Sequence, residues 1–138
     1  MMNMVSKDVL DRLVTAGLAQ ASPAAAWFGT LGDMPDTPVN CVLVTGSGGQ
    51  GPSRTVDAPT VPSLENARCQ VFVRGTGLIA SRAKMDTVTA AINSWGKFMQ
   101  GTTKYESIFQ QGETMQFSAS DVSEVWTWVA NFMVWRRG

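Results

Sequence analysis

Residues Val122 to Trp135 read VSEVWTWVANFMVW, a run of β-forming residues that is apolar on both of its faces. With a side-chain period of two, Val125, Thr127, Val129, Asn131, Met133 and Trp135 share one face, and Trp126, Trp128, Ala130, Phe132 and Val134 share the other. Large contiguous apolar patches are rarely left to solvent, so each face needs a cover. Helices packed on a small sheet bury one. The second is most simply buried against another subunit, the alternative being a strand held between two layers of one monomer. The run therefore points first to a protein of assemblies.

The chain has 138 residues, 44% of them apolar and 16% charged, which suits one folded domain spanning residues 1–138. Eleven Lys plus Arg balance eleven Asp plus Glu, so no global field draws in nucleic acid or an anionic membrane. The start, MMNMVSKDVLDRL, intersperses charges with apolar residues and lacks the uninterrupted apolar stretch of a signal peptide, so export is not expected. No segment reaches the roughly 20 apolar residues of a spanning helix. Cys41 and Cys69 lack metal-ligand spacing and histidine is absent, so no metal or cofactor is expected. Both cysteines fall in predicted strands that can be neighbours, and they read as buried free thiols.

Along the chain, Ser6 is positioned to cap a helix in which Val9, Leu10, Leu13, Val14 and Leu18 recur to about Gln20. The segment Trp27 to Pro38 (WFGTLGDMPDTP) reads as a turn-rich connection, and Val39 to Thr45 as a strand. Gly46 to Pro62 holds four glycines and three prolines and reads as a flexible loop, followed by a second strand around Arg68 to Val73. A second helix opens at Thr76 or Gly77 and runs to Trp95, with Leu78, Ile79, Val88, Ala91 and Ile92 on its apolar stripe. Tyr105 to Phe109 and Met115 to Ser118 are shorter strand candidates, and Ser118 to Ser123 a polar turn. The expected fold class is α+β, in the order α-β-β-α-β-β, with a small, mostly antiparallel sheet and helices on one face.

Chemical motifs are weak. Gly46-Ser47-Gly48-Gly49-Gln50-Gly51 matches G-x-G-x-x-G after a strand, but Pro52, Pro59 and Pro62 follow where a dinucleotide site needs a helix N-terminus. It fails as a P-loop too, because Pro52 and Ser53 stand where Lys and Ser or Thr are required. Without histidine, a nucleophile needs a Lys or carboxylate base, and Ser47, Ser53 and Ser81 have no such neighbour in sequence. Asp33 with Asp36, and Glu113 with Asp121, read as turn residues. No catalytic residue is assigned. A base-stacking platform on Trp126 and Trp128 lacks interleaved basic residues, which leaves the tryptophans to the core or a subunit interface.

The order of elements carries local signatures of a family. They are the W-F-G turn with D-M-P-D-T-P, the glycine-rich loop, the strand Cys69-Gln70-Val71-Phe72-Val73-Arg74-Gly75 leading into Leu78 to Trp95, Tyr105-Glu106-Ser107-Ile108, and the ending Asn131-Phe132-Met133-Val134-Trp135-Arg136. Over most of its length the chain resembles the tail terminator proteins of long-tailed bacteriophages, also described as minor capsid or neck proteins. It departs from them just before the last strand, where Asp121-Val122-Ser123-Glu124 lacks the arginine that similar proteins often carry.

The resemblance implies a structural virion protein of the tail and neck, made in the bacterial host cytoplasm and not an enzyme. Its subunits form a ring, usually hexameric, that caps the tail tube, stops its polymerisation and offers a surface to the head connector. Genomic DNA passes through such a ring without specific binding. The implied partners are further copies of the chain, the tail tube protein and the connector or adaptor protein, with no membrane. Trp126, Trp128, Phe132 and Trp135, with Gly48, Gly49 and Arg54 of the loop, are the expected interface residues. A head-tail adaptor or stopper of the same neck is the alternative, and a small nucleotide-binding enzyme using Gly46 to Gly51 is a second one.

Overall fold

Alternate residues of three central strands interlock beneath two helices in the computed structural model, which describes residues 4–50, 65–120 and 122–137. The elements are α1 (Val5–Thr15), β1 (Phe28–Thr30), β2 (Cys41–Gln50), β3 (Glu65–Thr76), α2 (Leu78–Asn93), β4 (Phe98–Gln100), β5 (Thr103–Ser120) and β6 (Val125–Arg137). One six-stranded sheet, in the order β1-β2-β3-β6-β5-β4, contains every strand among the described residues. β1 pairs with β2 in parallel and every other neighbour is antiparallel, so the sheet is mixed.

The expectation of a small antiparallel sheet in the order α-β-β-α-β-β is thus corrected: the fold is mostly β, with two short helices among the described residues. Two causes account for the difference. β1 and β4 have three residues each, too short to leave a period in the sequence. The two short strands expected at Tyr105 to Phe109 and Met115 to Ser118 are one 18-residue strand. Its register against β6 passes from Gln111↔Asn131 to Met115↔Val129, and Gly112 takes a positive φ of 81° within that bulge. The bulge absorbs the polar Gln110 to Thr114 segment that resembles a turn in sequence.

The register defines the faces. Val42, Val73 and Trp128 form one cross-strand row, Val44, Val71 and Ala130 the next, and Cys69 with Phe132, then Ala67 with Val134, continue it. All of these are buried, and they join Val9, Leu13, Met85, Val88 and Ile92 of the helices in one core. Both helices lie on this face. Trp128 Nε1 donates to Ser81 Oγ of α2 at 2.9 Å, and Tyr105 Oη of β5 donates to Asp8 Oδ2 of α1 at 2.5 Å.

Local chemistry sets the helix ends. α1 begins after Met4, without a side-chain cap, and the expected cap Ser6 is a buried residue inside the helix. It stops at Thr15 because Gly17 adopts φ 78° and the Gly17 and Leu18 amides bond back to Val14 and Leu13 carbonyls at 3.0 and 2.9 Å. This closure ends the helix before Leu18 and Gln20 can join it. Close packing also has a glycine signature. A Cβ on Gly29 of β1 would meet Leu10 Cδ1 at 2.6 Å, so only glycine lets β1 approach α1 this closely.

Candidate subunit interface

The opposite face of the sheet has a different cover. Cys41, Arg74, Thr127 and Ser118 form a row at one end of it, and the segment 33–39 folds over that row. Arg74 anchors the segment: Nε donates to the Val39 carbonyl at 2.8 Å, and Nη2 donates to the carbonyls of Pro38 at 3.1 Å and of Pro35. Beyond that row, no helix among the described residues lies on this face.

The uncovered rows are apolar, then polar, then apolar. Leu43, Phe72, Val129 and Met115 come first, with Phe117 alongside; its ring meets Phe72 edge to face at 5.2 Å between centroids. Thr45, Gln70, Asn131 and Gln111 follow, Gln70 Nε2 donating to Asn131 Oδ1 at 2.8 Å. Arg68, Met133 and Phe109 form the third row, and Trp135 lies beyond it. Phe117 is 65% exposed, Met115 55% and Phe109 43%, and they lie on one face rather than scattered singly over the surface. Arg68, Gln70, Gln111, Gly112, Asn131 and Phe132 line a cavity of about 470 Å³ at the polar row.

A second apolar patch lies at the start of α2. Ile79 is 84% exposed and Leu78 46%, and a cavity of about 470 Å³ there is lined by Gly77, Leu78, Ile79, Ala80, Glu124 and Trp126. The Gly77 amide donates to the Glu124 carbonyl at 2.7 Å, tying the helix start to the β5–β6 turn.

The expected interface residues separate in the structure. Phe132 and Trp128 are core residues under α2, and Trp126 stacks on Trp128 at 6.4 Å on the same side, half-buried. Trp135 alone of the four aromatic residues lies on the open face. Gly48 and Gly49 belong to β2, at a register shift between Gly46 and Gly49 opposite β3, and Arg54 lies outside the described residues. The expected loop thus begins as strand: Gly46 to Gln50 extend β2, and the remainder to Pro62 lies outside the described residues. Among the described residues, β2 is followed by β3 and no helix N-terminus faces Gly46 to Gln50. Phe72, Met115, Phe117 and Phe109 were not expected; their signal was the odd-numbered face of β6, which they extend sideways.

The buried titratable groups serve the fold. Asp8, Tyr105, Arg136 and Glu65 form a chain across α1, β5, β6 and β3, with Arg136 Nη1 donating to Tyr105 Oη at 3.2 Å and Nη2 pairing Glu65 Oε1 at 3.3 Å. Burial first, then the bond to Asp8, hold the Tyr105 phenol well above its usual range. Burial pushes the Cys69 thiol up to about 12, and it raises Cys41 against the opposing charge of Arg74. The two thiols are free and buried, in adjacent strands but not opposite each other, since Cys69 faces Gly46 and Cys41 faces Arg74. No helix among the described residues is long and apolar enough to cross a membrane. Compared with protein-family models and with curated proteins, the chain matches none.

Proposed function

We propose that this chain is a structural subunit of a long-tailed bacteriophage neck, which forms a ring on the finished tail tube, halts its polymerisation and presents a surface to the head connector. The observation that carries the proposal is the open sheet face around Phe72, Phe117 and Met115, an apolar surface on which no helix lies among the described residues. A protein whose main unpartnered feature is such a face works by contact. The family resemblance of the N-terminal helix, the W-F-G turn and the N-F-x-V-x-R ending supplies the kind of assembly. The zero net charge suits a lumen through which DNA passes without being held.

Negative-stain electron microscopy of concentrated protein, with mass measured on the same sample and again after mixing with tail tubes, tests the reading. Closed rings, free or at tube ends, together with tubes of fixed length, are the expected result. Tubes that elongate at the same rate with the protein present would overturn it.

A further inference from the structure

Both ends of the sheet stop on strands of three residues. β1 pairs with β2 only at Cys41, Val42 and Leu43, and β4 pairs with β5 only at Thr103, Lys104 and Tyr105. The outer edges of Val44–Gln50 in β2 and of 106–120 in β5 therefore carry no strand among the described residues. Side-chain substitution for the missing strand is seen at Gln110, whose amide donates to Asn93 Oδ1 at 2.8 Å. Natural sheets blunt long edges with lysines, prolines and bulges, because unpaired backbone groups recruit other strands. Both edges here are bulged, β2 between Gly46 and Gly49 and β5 between Gln111 and Met115. What they lack is the lysine and the proline: residues 106–120 carry only Glu106 and Glu113 as charges, and 44–50 carry none and no proline.

Strand direction selects the occupant. β2 is antiparallel to β3, β3 to β6 and β6 to β5, so β2 and β5 run in opposite directions at the two sides of one sheet. Copies related by rotation about an axis along the strands keep those directions. The β5 edge of one copy then meets the β2 edge of the next in antiparallel sense, and the alternation of four long strands continues across the joint unbroken. A two-fold contact of β5 with β5 is also antiparallel, but it leaves both β2 edges open and ends at two copies. A head-to-tail contact satisfies both edges with a single kind of joint and closes by rotation, whereas two-fold contacts need two different joints in alternation, β5 with β5 and β2 with β2.

We infer that neighbouring copies of this chain join through the β5 edge of one and the β2 edge of the next, extending a single sheet around the assembly. The inference rests on the ring proposed above and specifies its contact. Continuing the sheet sets Leu43 and Thr45 of the next copy on the same face as Met115 and Phe117, so the open apolar faces merge into one lining or one docking surface.

Cross-linking of the full chain tests it. Thr45→Cys and Met115→Cys place one thiol on each edge strand, and Cys41 and Cys69 give low background because both are fully buried. With a short flexible bis-maleimide, the double variant should give a ladder of covalent multimers ending in a closed species, the single variants should stay uncoupled, and mixing the two single variants should give dimers. Amide hydrogen exchange on the unmodified protein provides a second reading: residues 44–50 and 106–120 should exchange at least about tenfold more slowly when assembled. Rings seen by microscopy without the ladder and without that protection overturn the edge contact and leave the ring. A ladder of open multimers with no closed species keeps the contact and overturns the ring. Met115→Cys coupling to itself shows a two-fold contact and overturns the inference, as does a monomer that stays monomeric on tail tubes.

Discussion

Phe72 on β3 and Phe117 on β5 meet edge to face, 5.2 Å between centroids and 79° between ring planes, on the side of the sheet that carries no helix. The pair is held by the register, since Phe72 lies opposite Val129 and Met115 lies opposite the same Val129 from the other side. Edge-to-face pairs contribute about 0.5–1.5 kcal/mol beyond the area they bury. Here one ring is mostly in solvent, so most of its area remains to be buried by something else.

Phe117→Ser separates folding from assembly. Because Phe117 is 65% exposed, its removal should lower subunit stability by no more than about 1 kcal/mol. An aromatic anchor at the centre of an interface typically contributes about 2 kcal/mol or more, so the concentration needed for assembly should rise on the order of 30-fold. Urea unfolding of dilute protein and light scattering across a concentration series measure the two quantities. A large loss of stability with unchanged assembly would assign the pair to the fold.

The part of this surface that was legible in the sequence is the part written along a single strand. Period-two reading of Val125 to Trp135 separated the two faces correctly, because alternation within a strand depends on no partner. Which face the helices cover was marked only faintly: the face of Trp126, Trp128, Ala130, Phe132 and Val134 is wholly apolar while the other carries Thr127 and Asn131. The wholly apolar face lies under the helices, where Ser81 accepts from the Trp128 indole and Asp8 from Tyr105. Phe72 and Phe117 lie 45 positions apart and meet through pairing of β3 and β5 to β6, a relationship no local period contains. The expectation that Trp126, Trp128 and Phe132 lie at an interface rests on a strand apolar on both faces, and such a strand leaves open which face is core. Likewise, Gly46 to Gln50 read as loop because glycine disfavours strands, yet pairing with β3 overrides that preference through Gln50↔Asn66.

Tyr105 fixes α1 to the sheet through a carboxylate that is almost wholly buried. Asp8 is 2% exposed and Tyr105 donates to it at 2.5 Å. Tyr105→Phe keeps the ring, including its stacking on Phe98 at 4.5 Å, and removes the hydroxyl that donates to Asp8 and accepts from Arg136 Nη1. Bonds to charged groups contribute about 1.5–3 kcal/mol, and the deprived carboxylate stays buried. A loss of about 2–3 kcal/mol in urea unfolding at neutral pH is expected. Asp8→Asn in the Tyr105→Phe background should recover part of it, because a neutral amide is less costly to bury than an unpaired charge.

Cys69 gives the fold an alkaline limit. The folded thiol titrates near 12, against 9.0 for an ordinary cysteine, because burial disfavours the thiolate. Above pH 9 the unfolded chain releases a proton that the folded chain retains, so the unfolded state binds fewer protons and stability falls as pH rises from 9 towards 12. Below pH 9 the contribution is fully present. Denaturant midpoints measured from pH 8 to 11 should decline, and Cys69→Ala should flatten the slope while lowering stability throughout by the cost of a small core cavity. A slope unchanged by Cys69→Ala would assign the alkaline loss to other groups, Tyr105 first among them.

Trp128 distinguishes a core tryptophan from an interface tryptophan. It is 7% exposed, its indole donates to Ser81 at 2.9 Å, and Arg82 lies over its ring at 5.1 Å. Val73 faces it across β3, so truncation opens a cavity between the sheet and α2 that neither can fill without moving. Trp128→Ala should therefore cost about 3–5 kcal/mol in the isolated subunit. Trp128→Phe, which keeps most of the volume but deprives Ser81 of its donor, should cost about 1–2 kcal/mol, because Ser81 Oγ retains its own donation to the Gly77 carbonyl at 2.6 Å. Trp135→Ser provides the contrast: Trp135 is half-buried on the open face, and its loss should affect assembly more than folding. Thermal unfolding of the three variants at a concentration below assembly orders them as Trp128→Ala, Trp128→Phe, Trp135→Ser from most to least destabilised. If Trp128→Ala unfolded like the parent while failing to assemble, the tryptophan would belong to the interface and α2 would have to leave the sheet when subunits meet.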